Sequence, residues 1–111
     1  MDGKITKPKF FTITQLRDIY LYAYAILYYK YCWQVTDGNI LRFSEREHNL
    51  RSSVGYEMTK EIYDILEPYA KNGWYSAKQS SRGKNMSYNI AFEEMLECMA
   101  KYTNTDISIW A

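Results

Sequence analysis

Fifteen consecutive residues, Ile19-Tyr-Leu-Tyr-Ala-Tyr-Ala-Ile-Leu-Tyr-Tyr-Lys-Tyr-Cys-Trp33, carry six tyrosines, one tryptophan and a single charge at Lys30. Read as a helix, this segment has almost no polar face. An ordinary surface helix shows one apolar stripe, so one that is apolar nearly all round must be covered on several sides by its own chain or by a partner. Ile13, Leu16, Tyr20, Ala23, Leu27 and Tyr31 line one face at steps of three and four, and Ile19, Tyr22, Ile26, Tyr29 and Trp33 line a second. Two faces call for two neighbours, which makes this the central element of a helical domain. Leu21, Tyr24 and Tyr28 fall between the two faces, where their cover is not specified.

The helix announces its own start. Thr12-Ile-Thr-Gln15 has capping-box spacing, and Phe11 is placed to staple onto Leu16, so the first predicted helix runs from about residue 13 to 34. Asp37-Gly38 reads as its stop, or as the turn of a short β-hairpin joining residues 34–36 to 39–43. A second capping box, Ser44-Glu-Arg-Glu47, opens a helix over about 45–67 whose stripe is Leu50, Val54, Met58, Ile62, Ile65, Leu66 and Tyr69. Gly55 can break that helix in two, and Pro68 marks its end because the residue before a proline avoids helical geometry. Residues 70–85 lose the apolar period and read as a mobile loop rich in glycine, serine and bases. A third helix is predicted over about 87–102, with Tyr88, Ala91, Phe92, Met95, Leu96, Met99 and Tyr102 in register. The apolar tail 105–111 is expected to dock on the body or on a partner, or to pair as a strand with the arm 1–11. The fold class is therefore all-α, a small single-domain three-helix bundle with a central aromatic helix.

At 111 residues the chain suits one domain with a core of its own. The two cysteines, Cys32 and Cys98, lie inside apolar patterns without metal-type spacing and read as free buried thiols. The first residues lack the apolar core of a secretory signal, and the aromatic run is too short and too rich in tyrosine to cross a membrane, so a soluble, cytoplasmic protein is expected.

Catalytic chemistry finds few carriers here. The only histidine, His48, sits beside Arg46 and Glu47 and reads as a solvated surface residue. Zinc lacks ligands, Glu57 with Glu61 and Glu93 with Glu97 read as solvated faces, and no glycine-rich phosphate loop occurs. The expectation is no enzyme, no metal and no cofactor.

What remains is binding, and the distribution of charge and aromatic residues says where. The net charge is +1, yet residues 71–85 hold Lys71, Lys78, Arg82 and Lys84 with no acid, and the N-terminal arm holds Lys4, Lys7 and Lys9 against Asp2. Bases interleaved with Trp74 and Tyr75 are what single-stranded nucleic acid recognises: charge for phosphates and flat rings for bases. Lys71, Lys78, Arg82, Lys84, Lys7 and Lys9 are thus the candidates for nucleic-acid binding. The acids on the exposed side of the second helix argue against a helix docked on a phosphate backbone. Tyrosine, at 12 of 111 residues, exceeds what one small core needs, and exposed tyrosine and tryptophan anchor protein interfaces. Trp74, Tyr75, Tyr24, Tyr28 and Trp110 are the candidates for protein binding. The first expectation is a non-catalytic protein-binding regulator or inhibitor, of the kind carried by phages and mobile elements, with a homodimer compatible. Direct nucleic-acid binding is the alternative.

Overall fold

Thr12 caps the first helix as its spacing predicts. Its backbone N–H donates to Gln15 Oε1 at 2.9 Å, and the Gln15 N–H donates to Thr12 Oγ1 at 3.1 Å. The computed structural model describes residues 10–31, 36–79 and 84–110, apart from the Lys84 side chain. The helix so begun, α1 (Ile13–Ala25), runs on into a π turn, Ile26–Lys30, closed by the Tyr31 N–H donating to the Ile26 carbonyl at 3.0 Å. Single π turns in helices are uncommon and recur at functional sites. The predicted extension of this helix over 32–34, with Cys32 and Trp33, lies outside the described residues.

Three further helices follow: α2 (Asp37–Val54), α3 (Tyr56–Gln79) and α4 (Lys84–Thr103), and then a 3₁₀ turn, Ile107–Trp110. The fold is all-α, but it has four helices among the described residues where three were expected, and no strand among them. Each departure has a local cause. Asp37-Gly38 neither stops a helix nor turns a hairpin; Thr36 adopts an extended N-cap conformation, its hydroxyl accepts from the Asn39 N–H at 3.2 Å, and Asp37 falls in the first turn, where its charge suits the helix dipole. Ser44, expected to open a helix, lies exposed inside α2. Gly55 does break the chain into two helices, with φ at +94° and its N–H donating to the Arg51 carbonyl.

The larger departure is that α3 passes through Pro68 and continues to Gln79, turning most of the predicted 70–85 loop into helix. Pro68 lacks the N–H that would reach the Asp64 carbonyl, but it lies on the exposed side, where water can replace that donor. Packing then outweighs propensity. Ala70, Gly73 and Ala77 form a buried small-residue row that lets α4 approach closely, and a Cβ built on Gly73 would stand 2.7 Å from Ala91 Cβ. At Gly73 the missing side chain is what the helix contact requires, and the local cost of glycine in a helix is set against that close approach.

Together α1 and its π turn touch α2, α3 and α4, while α3 and α4 make the broadest helix pair. The aromatic helix is central, as its two apolar faces require. Ile19, Tyr22, Ala23, Ala25, Ile26 and Leu27 are fully buried. All of these but Ala25 belong to one core cluster with Leu50 from α2, Ile62 and Leu66 from α3, and Met95 and Met99 from α4. Phe11 packs on this core and stacks on Tyr102, with ring centroids 6.3 Å apart.

The end of α4 closes with a two-bond C-terminal motif. Asn104, at φ 58°, donates to the Lys101 carbonyl and Thr105 to that of Ala100. That turn directs the chain back so that Trp110, 3% exposed, enters the core and its indole N–H donates to Thr105 Oγ1 at 2.7 Å. The tail therefore docks on the body as a 3₁₀ turn and makes no strand; residues 1–9 of the arm lie outside the described residues. Cys98 is buried and free, and burial pushes its thiol pKa up.

Candidate aromatic binding surface

Continuing α3 beyond Pro68 sets side chains in register that a loop would scatter. Lys71, Trp74, Tyr75 and Lys78 stand at i, i+3, i+4 and i+7 and share one helix face. Glu67 and Tyr63, one and two turns earlier, extend the same face. Trp74 is half-buried, Tyr75 is 52% exposed, and Lys71 and Lys78 are exposed. The Lys78 ammonium stands 4.3 Å from the Trp74 ring centroid, a cation–π contact, and the rings of Trp74 and Tyr75 meet edge to face at 5.1 Å. Tyr31, just past the π turn, adds its ring at 6.4 Å from Trp74.

The polar groups along this strip are tied to one carboxylate. Glu67 Oε2 accepts from the hydroxyl of Tyr31 at 2.5 Å and from that of Tyr63 at 2.8 Å. The Lys30 ammonium in turn donates to the Tyr63 hydroxyl. The hydrogen bond from Tyr31, then that from Tyr63, hold the Glu67 carboxyl below its ordinary pKa. Burial, reinforced by Glu67, pushes Tyr31 up to about 12 and Tyr63 higher still.

A second aromatic row lies along the seam of α1 and α4. Tyr24 and Tyr28 have ring centroids 4.4 Å apart, and Phe92 meets both edge-on, at 5.7 and 5.9 Å. Tyr20 adds an edge contact to Phe92 at 5.5 Å, and the Tyr28 hydroxyl donates to Asn89 Oδ1 at 3.3 Å. Tyr24 is 38% exposed and Tyr28 half-buried, so the two tyrosines that fell between the apolar faces are partly covered rings. Beyond them, Met86 and Ile90 stand exposed on α4.

The sequence candidates thus separate into groups. Trp74 and Tyr75 come together with Lys71 and Lys78 on one helix face. Tyr24 and Tyr28 pair on the seam with α4, and Trp110 is a core residue whose ring is turned inward. Arg82, Lys7 and Lys9, and the side chain of Lys84, lie outside the described residues. His48 is exposed on α2, and among the described residues no three histidine, cysteine, aspartate or glutamate side chains are grouped to hold a metal. No described helix is long and apolar enough to cross a membrane.

Sequence reading missed Lys30, Tyr31, Tyr63 and Glu67 as members of the surface. The steps of four from Tyr63 to Glu67 and Lys71 were there to be read, but only if the helix is carried through Pro68. Shallow depressions also occur among the described residues. An apolar one of about 310 Å³ is lined by Ile13, Leu16, Arg17, Tyr20, Ile109 and Trp110, and one of about 240 Å³ that includes charged side chains lies around Tyr22, Glu47, Arg51 and Tyr63. Another, near Glu97, Lys101 and Ile107, is wide and open. No protein-family model matches the chain, and neither a curated protein nor a solved structure matches it.

Proposed function

We propose that this protein is a non-catalytic regulator or inhibitor that binds another protein through the basic, aromatic face of α3. The observation that carries the reading is the alignment of Lys71, Trp74, Tyr75 and Lys78 on one helix face, beside Tyr31. Half-covered aromatic rings flanked by exposed lysines combine an apolar anchor with a positive rim, which suits an acidic partner surface bearing an apolar pocket. Tyr75 is the anchor, because it offers half its surface while its neighbour Trp74 fixes its orientation. The Tyr24 and Tyr28 row, more fully covered by Phe92, is a secondary contact.

The test compares the wild type with the Trp74→Ala/Tyr75→Ala double variant as immobilised baits. A specific partner retained by the wild type and lost by the variant, at unchanged melting temperature, supports the reading. A variant that unfolds, or a partner retained by both, removes the proposed anchor. A second reading, nucleic-acid binding, is favoured by the same four residues, since two lysines and two rings on one face can take phosphates and bases. Fluorescence anisotropy with single-stranded DNA, duplex DNA and RNA decides it. Binding that weakens with salt and disappears on Lys71→Glu/Lys78→Glu exchange would assign the face to nucleic acid.

A further inference from the structure

The ammonium of Lys30 sits among three aromatic rings drawn from three segments of the chain. It lies 4.5 Å from the ring centroid of Tyr63 on α3, 5.5 Å from Phe43 on α2 and 6.0 Å from Tyr31 beyond the π turn. Its countercharge is Glu67, which it reaches through the Tyr63 hydroxyl, and the Tyr31 hydroxyl binds the same carboxylate. Several rings around one cation, with a carboxylate behind them, form the arrangement by which proteins recognise alkylammonium groups.

Much of this box is held by contacts that do not involve Lys30. Phe43 and Tyr63 meet at 6.5 Å, and both rest on the buried Tyr22 ring, at 5.7 and 6.4 Å. Tyr22 is itself fixed by its hydroxyl, which donates to Glu47 at 2.8 Å. The carbonyl of Tyr31 accepts from the Tyr88 hydroxyl at 2.7 Å, which anchors the end of the π turn to α4. Lys30, by contrast, is exposed and carried on a flexible four-carbon stem that can swing into water. The walls are preorganised and the occupant is movable.

We propose that Tyr31, Phe43, Tyr63 and Glu67 form a binding site for alkylammonium groups, which Lys30 fills from within the chain. The ligand is a methylated amine, either a free quaternary cation or the methylated side chain of a lysine. Lys30 acts as a tethered competitor, so any ligand must displace a group held at high effective concentration. The π turn supports this arrangement by placing Lys30 and Tyr31 against α3.

Tetramethylammonium chloride, titrated against sodium chloride of equal ionic strength, is the first probe, read by the upfield shift of its methyl protons and by the protein's aromatic resonances. Lys30→Ala is expected to bind it saturably, with an apparent Kd about tenfold below that of the wild type. Tyr63→Leu in the same background is expected to abolish that binding while the far-ultraviolet circular dichroism is kept. A parallel titration with an N-acetylated trimethyllysine amide separates the sources. Tighter binding than tetramethylammonium assigns the site to a methylated lysine, and equal binding assigns it to a free cation. Should Lys30→Ala fail to fold, Lys30→Met keeps the stem and serves the same test. A folded Lys30 variant without saturable binding, or one whose binding survives Tyr63→Leu, overturns the proposal.

Discussion

Replacing Gly73 by alanine tests whether the candidate surface stands on a helix packed against α4. The added Cβ would lie 2.7 Å from Ala91 Cβ and 3.6 Å from both Leu27 Cδ1 and the Ser87 carbonyl oxygen. The first of these separations is far inside contact distance, and backbone must move to relieve it. Overpacking of this kind costs about 1–3 kcal/mol, against which alanine regains roughly 1 kcal/mol of helix propensity. The net expectation is a loss of up to about 2 kcal/mol. Ala91→Gly alone should also destabilise, by roughly 1–2 kcal/mol, through lost propensity and one lost buried methyl group. The double variant moves the methyl from one helix to the other and should return close to wild-type stability. Urea unfolding of all four proteins closes the cycle, and a coupling of about 1 kcal/mol or more is expected. Additive losses would refute the close approach. A neutral Gly73→Ala change with no coupling would mean that residues 70–79 do not pack on α4, and the alignment of Lys71, Trp74, Tyr75 and Lys78 would fall with it.

Three further outcomes follow from the same contacts. The Glu67 carboxyl is held below its ordinary value of 4.5 by two tyrosine hydroxyls, so it stabilises the fold above that pH and loses the contribution as pH falls through the folded-state value. The gap in melting temperature between wild type and Glu67→Gln should therefore narrow on acidification, and a gap independent of pH would contradict the paired carboxylate. Burial holds Tyr22, Tyr63 and Tyr102 above the ordinary 10.0, so their contribution is intact below that pH and lost as it rises. In an alkaline titration their phenolate absorbance should appear together with unfolding, and early, reversible ionisation of every tyrosine would be the contrary result. Gly55→Ala should cost about 1–3 kcal/mol in thermal or urea unfolding, from backbone strain alone, since no atom lies within 4 Å of the added Cβ and only φ at +94° opposes it.

The helical class and the central place of the aromatic helix were legible in the periodicity of residues 13–31, because a segment apolar on two faces has few other places to go. The stripe from Leu50 to Tyr69 is legible from its period as well, and the break at Gly55 from the cost of glycine inside a helix. The stretch from Pro68 to Gln79 was not. Proline, asparagine, glycine and serine carry local signals for a loop there. What overrides them is the fit of Ala70, Gly73 and Ala77 against α4, a long-range contact with no local trace. Thr36 gives little sign of being a cap, because Asp37-Gly38 reads more readily as an ending than as a first turn. The candidate site followed these errors: Trp74, Tyr75, Lys71 and Lys78 were identified by residue type, whereas their common face, and the part played by Tyr31, Tyr63 and Glu67, required the helix.

The tyrosine hydroxyls also bear on how such a chain can diverge. Tyr22 reaches Glu47, Tyr31 reaches Glu67, and Tyr102 reaches Glu61, so the hydroxyls tie α2 to α1, the π turn to α3, and α3 to α4 in series. Phenylalanine would fill each ring position equally well and lose the link that sets how one helix is rotated against the next. Core side chains can then exchange in volume-compensating sets, while three tyrosine–glutamate pairs change only in step. Distant chains of this architecture would be recognised by those paired exchanges, long after their overall identity had faded.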